Sequence, residues 1–204
     1  IWEFPSEYYK DNIDNCNILE RLDIMKDKYF IVSIHREENV DYPENLKKLV
    51  DSLNALAEKY NYPVIVSTHP RTQKRLDDIK GEIEINPLVL NMKPMGFFDY
   101  ISLQANSTCV ISDSGTITEE SSILGFPAIN IRDAHERPEG MEEGAVIMTG
   151  INSAVILNSI TYLRSLVDSG IKSKIISDYD VANVSDKVVK IILSYTHFVD
   201  RKIW

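Results

Sequence analysis

Six short apolar runs rich in β-branched residues punctuate the chain: YFIVSI from Tyr29, PVIVST from Pro63, LVLN from Leu88, TCVIS from Thr108, PAINI from Pro127 and AVIMT from Ala145. Runs of this length suit strands covered on both faces. Segments of helical period lie between them. In the clearest, PENLKKLVDSLNALAEKY, Leu46, Leu49, Val50, Leu53, Leu56 and Ala57 form one stripe, while the lysines and Glu58 take the opposite face. Strand–helix alternation predicts a parallel sheet whose right-handed crossovers place helices on both sides. The expected architecture is a Rossmann-like doubly wound α/β domain over residues 1–204. A last helix is expected around Val181 to Ser194, and the aromatic-rich tail YTHFVDRKIW is expected to dock on other structure. Nothing repeats internally.

In such a sheet, ligands bind at the carboxyl ends of the strands. The loops that begin there read HREEN (His35 to Asn39), HPRT (His69 to Thr72), KPMGFFDY (Lys93 to Tyr100), SDSGT (Ser112 to Thr116) and RDAHERPEG (Arg132 to Gly140), and they hold three of the four histidines. SDSGTITEES is the most informative. A helix starting soon after Ser114 turns the free N–H groups of its first turn outward, which makes an anion site. Gly115 allows close approach, and the Ser114 and Thr116 hydroxyls add donors. Thr116 and Glu119 fit a capping box. Glu120 lies about 100° further around the helix, so the cap does not explain it, and a ligand hydroxyl is its expected partner. In HERPEG, Arg137 suits a diphosphate, against the alternative of an ion pair with Glu136 or Glu139. His35 with Arg36, and His69 with Arg71, stand at strand ends, where a histidine is either structural or functional. Of Phe97, Phe98 and Tyr100, at helical spacing, at least one must pack in the core, leaving another to face a planar base.

These loops together could hold a nucleoside diphosphate. No GxGxxG fingerprint follows the first strand and no P-loop occurs, which disfavours a nicotinamide cofactor and a P-loop nucleotide site. Acidic residues outnumber basic ones, 31 to 22, with no basic run, so nucleic acid is an unlikely class of partner. Cys16 and Cys109 lack metal-ligand spacing, and Cys109 reads as a reduced core thiol, consistent with a cytoplasmic location. No apolar run reaches membrane-span length, so no membrane partner is expected.

At SDSGTITEES, HERPEG and SIHREEN the chain resembles the non-hydrolysing UDP-N-acetylglucosamine 2-epimerases, from roughly Asp23 to the closing RKIW. Their corresponding patterns are D-S-G-G-x-x-E-E, E-R-P-E and H-R-x-E-N. The resemblance implies the C-terminal domain of a glycosyltransferase-B-type two-domain fold, with no cofactor and no metal. It places Ser114, Gly115 and Thr116 at the diphosphate, Glu120 at the ribose and Tyr100 near uracil. Arg137 and His35 would lie around the phosphates, His35 as the candidate catalytic group. Arg36 and His69 match positions of a possible second UDP-sugar site. Thr116 stands where the family has a second glycine, and HERPEGMEEG, HPRT and GFFDY look like the branch acting on modified UDP-HexNAc sugars. The family's acidic groups for proton transfer lie in an N-terminal half that this sequence does not resemble, which implies a fragment of a longer chain, homodimeric when complete. A glycosyltransferase nucleotide domain and a non-catalytic UDP-sugar sensor are the alternative readings.

Overall fold

The structure is a computed structural model that describes residues 9–79, 81–171 and 174–203. Six parallel strands form one sheet among them: β1 (Phe30–Ile34), β2 (Val64–Thr68), β3 (Val89–Met92), β4 (Cys109–Ser112), β5 (Ala128–Asn130) and β6 (Ile147–Met148). Each falls within one of the apolar runs, except that β3 extends one residue past LVLN to Met92. Their order is β3-β2-β1-β4-β5-β6, the Rossmann order, in which the winding reverses between β1 and β4.

The helices are α1 (Lys10–Asp14), α2 (Ile18–Arg21), α3 (Glu37–Val40), α4 (Pro43–Tyr60), α5 (Pro70–Asp78), α6 (Phe97–Ala105), α7 (Ile117–Leu124), α8 (Pro138–Glu142), α9 (Ser153–Asp168) and α10 (Val184–Ile203). Strand alternation divides the apolar side chains between two layers. Phe30, Val32 and Ile34 join Val64, Val66 and Ile111 beneath the stripe of α4 and Ile156 and Ile160 of α9. Tyr29, Ile31, Ile65 and Val110 face the other way, against Ile18, Leu103 of α6 and Ile117 of α7. Both faces of the central strands β1, β2, β4 and β5 are thus dry, which accounts for unbroken apolar runs in place of alternation, whereas the edge strand β3 leaves Leu90 and Asn91 exposed.

Sequence punctuation fixes the ends of α4. Pro43 opens its first turn, where an N–H would lack a partner in any case, and Asn61 closes it at φ 51°, in the left-handed region that asparagine tolerates.

The tail behaves differently from expectation. It continues α10 to Ile203, because Val188, Ile191, Ile192, Tyr195, Phe198 and Val199 keep the helical period past Ser194. Nothing among the described residues covers it: Tyr195, Phe198 and Val199 are all more than half exposed, and the closing Trp204 lies outside the described residues. No helix among these residues is long and apolar enough to cross a membrane.

Candidate functional site

The switch point brings the ends of β1 and β4 side by side, with Ser33 aligned to Ser112. Asp113, the next residue, is fully buried and joins the two loops. Its carboxylate accepts from the His35 N–H at 3.1 Å, the Arg36 N–H at 2.9 Å and Asn39 Nδ2 at 3.0 Å. His35 Nδ1 lies 3.2 Å from the same group. Burial opposes the charge on Asp113, but the bonds from His35, Arg36 and Asn39 outweigh it and hold its pKa down. The Asp113 bond raises the pKa of half-exposed His35, against burial and the neighbouring Arg36 charge. A histidine so supported suits a proton donor.

Beyond Asp113 the chain turns into α7 through the expected cradle. The Ser114 and Thr116 hydroxyls lie 2.9 Å apart, and the Ser114 N–H donates to Ser112 Oγ at 3.1 Å. The capping box is absent. Thr116 has helical backbone angles and makes no side-chain cap, because its hydroxyl is turned to Ser114, while Glu119 is drawn instead to Arg137. Arg137 Nε donates to Glu119 Oε1 at 2.5 Å, so its ion-pair partner is neither Glu136 nor Glu139, although its Nη1 donates to the Glu136 carbonyl at 3.2 Å. Arg137 nonetheless stays beside the first turn of α7, within reach of an anion there. Glu120 is half-buried and accepts from Gln104 Nε2 at 2.7 Å. Burial raises its pKa, with the bonds from Gln104 and Thr116 acting the other way. A site also begins to show in its unmet bonds: Glu119 Oε2, Gln104 Oε1 and Asn130 Oδ1 are buried without a hydrogen-bond partner among the described residues.

Arg132, just past β5, is 8% exposed, and its Nη2 reaches Glu136 Oε1 at 3.0 Å. Arg36 Nη2 meets the same carboxylate at 3.0 Å, and Arg36 Nε donates to the Asp113 carbonyl at 2.9 Å. A shallow pocket here is lined by Gly115, Asn130, His135, Glu136, Arg137 and Met148. On the other side of α7, Tyr100 packs into the sheet layer with its hydroxyl toward Ser33, and burial pushes its pKa up to about 12. Phe97, 44% exposed, is the more open ring of that segment.

The structure therefore gathers His35, Arg36, Ser114, Gly115, Thr116, Glu120, Arg137 and Tyr100 around the switch point. His69 stands apart at the start of α5, its Nδ1 accepting from the Arg71 N–H at 3.3 Å, and Arg71 is tied to Glu37 and Asp41. Sequence reading singled out neither Asp113 nor Gln104 or Arg132, and it met Glu136 only as an alternative ion-pair partner of Arg137. Asp113 alone carried a signal, an acid directly after an apolar strand with no solvent-facing position to occupy.

The family profile described as UDP-N-acetylglucosamine 2-epimerase matches residues 4–193. The UDP-N-acetylglucosamine 2-epimerase of Methanocaldococcus jannaschii is 36% identical over 139 residues, which cover 67% of this chain and 38% of that protein. Among solved structures, a Rickettsia bellii UDP-N-acetylglucosamine 2-epimerase superposes with a TM-score of 0.82 at 37% identity, over 98% of this chain and 53% of that one. The M. jannaschii enzyme in complex with UDP-GlcNAc and UDP gives a TM-score of 0.77 at 29% identity, over 90% of this chain and 50% of that one. The chain thus spans about half the length, or less, of these relatives. With the profile matching nearly its whole length and the Rossmann order at its centre, the chain belongs to the UDP-N-acetylglucosamine 2-epimerase family.

Proposed function

We propose that this chain forms the UDP-holding domain of a UDP-HexNAc 2-epimerase, cytoplasmic and homodimeric when joined to its other half. The observation that carries the reading is the meeting, at one switch point, of an anion cradle at Ser114 to Thr116, a half-buried acceptor at Glu120 and a carboxylate-supported histidine at His35. The solved relative in complex with UDP-GlcNAc and UDP supports the choice of ligand.

The C2 proton of a 2-acetamido sugar has no adjacent carbonyl to acidify it. Epimerisation therefore proceeds by elimination: the C2 proton leaves, the C1–O bond breaks, UDP departs with the bonding pair and a glycal remains. UDP then adds back to C1 while a proton returns to the opposite face of C2. Charge grows on the leaving diphosphate, so groups that hold it lower the barrier as well as bind substrate. Ser114, Gly115, Thr116 and Arg137 serve that step, His35 donates a proton to the leaving group, Glu120 accepts from the ribose and Tyr100 adjoins the uracil. The general base belongs to the other half. Arg36 and His69 remain candidates for a second UDP-sugar contact.

Calorimetric titration of the 204-residue chain with UDP tests the reading directly. Binding should be present in the wild type and weakened about tenfold or more by Glu120→Gln, which removes a charge-assisted acceptor. With UDP-GlcNAc in D₂O, the chain alone should leave C2 unlabelled. Deuterium at that carbon would show that the general base lies within these 204 residues.

A further inference from the structure

We propose that Glu136 is an internal stand-in for the substrate's diphosphate, and that Arg132 is a phosphate-binding residue which Glu136 occupies until the nucleotide arrives. The inference rests on the UDP-binding reading above and adds to it a residue and a displacement step.

The geometry is that of an anion site already filled. The Glu136 carboxylate bridges two guanidinium groups, Arg36 Nη2 at 3.0 and 3.2 Å and Arg132 Nη2 at 3.0 Å. One of its oxygens also presses on the cradle: a Cβ built on Gly115 would lie 2.9 Å from Glu136 Oε2. Gly115 thus gives an acidic oxygen the close backbone approach that a phosphate needs.

Arg132 is the independent sign that a ligand belongs here. Its side chain is 8% exposed, and its Nε and Nη1 are buried with no hydrogen-bond partner among the described residues. Glu38, 3.9 Å from Nε, is too far for a hydrogen bond. Leaving charged donors buried and unmet is costly. A carboxylate offers two acceptor oxygens, whereas a diphosphate offers more and carries more charge, so it can satisfy donors that Glu136 leaves open. Glu136 itself is free to go. It is 44% exposed on a surface loop, and its pair with the part-exposed Arg36 is weakly held, which leaves Arg132 as its main anchor.

Titration of the wild type, E136Q, R132M and the double variant with UDP and with inorganic pyrophosphate decides the matter. E136Q should bind both ligands at least about two- to fivefold tighter, the fold-change that releasing the part-exposed Arg36 pair alone provides. R132M should weaken both, and the double variant should show no gain over R132M. If R132M fails to fold, R132K takes its place and should still weaken pyrophosphate. Equal or weaker UDP binding by E136Q, in a wild type that does bind UDP, overturns the stand-in and leaves the proposed function intact. Tighter pyrophosphate by E136Q without UDP binding sustains the stand-in and removes the nucleoside reading. No binding of either ligand by any form overturns both.

Discussion

Asp113 and His35 tie stability to pH in opposite senses. The bonds that hold the Asp113 pKa below its ordinary value stabilise the fold at pH values above that ordinary value, near 4, and the effect is lost as pH falls through the folded pKa. His35 is shifted upward, so its contribution is complete below about pH 6.5 and fades as pH rises through the folded pKa. The pair should therefore stabilise most between about pH 4 and 6.5. Melting curves of the wild type and His35→Asn over pH 3 to 9 should differ most in that window and converge at alkaline pH. Imidazole NMR gives a second readout: D113N should bring the His35 titration down toward its ordinary value, and a wild-type His35 already titrating there would refute the pairing. Sequence reading reached His35 but not its partner, since the serines and glycine beside Asp113 suggested a phosphate cradle and drew attention from an acid whose role depends on the loop across the switch point.

Glu120 and Gly115 show how α7 converts chain geometry into binding. Burial raises the Glu120 pKa, and only the ionised form accepts two hydroxyl bonds, so UDP affinity should begin to fall on acidification at a higher pH than for an ordinary carboxylate. Titrations from pH 7 down to 5 check this by difference from Glu120→Gln, the reference that retains the titrations of UDP and His35. The two glycines flanking the helix should separate binding from stability. A methyl at Gly115 meets only the movable end of Glu136, so G115A should change stability by less than about 0.5 kcal/mol yet weaken UDP by filling the cradle. Gly125 closes the helix at φ 73° with open space around it, so G125A should cost about 1 kcal/mol from backbone strain and leave UDP binding unchanged. Urea denaturation and calorimetry read both. Strands were legible at this scale because burial on two faces writes itself as unbroken apolar runs, and long helices because burial on one face writes itself as a stripe of helical period. The Thr116 cap was not, because the competing partners, Ser114 for the hydroxyl and Arg137 for Glu119, are chosen by tertiary position.

Across the whole molecule, stability should concentrate in the two layers around the sheet and not in the long last helix. Leu56 is fully buried between α4 and the strands, and truncation there removes three carbons' worth of packing, so Leu56→Ala should cost about 2–5 kcal/mol. On α10, Ile192 is 57% and Leu193 74% exposed, and Phe198 is 58% exposed. Each touches too little to matter, so Ile192→Ser or Phe198→Ser should stay within about 0.5 kcal/mol of the wild type in urea. The apolar stripe was readable in sequence as something that wants cover, and the described residues of a chain that spans about half of its solved relatives do not supply it. The same stripe should make the isolated chain self-associate as its concentration rises. Light scattering on the wild type and on an Ile192→Ser, Phe198→Ser double variant distinguishes the causes: if association is unchanged in the variant, its source lies elsewhere on the surface, whereas its loss assigns the contact to α10 while the unaltered urea midpoint shows that the domain itself never depended on it.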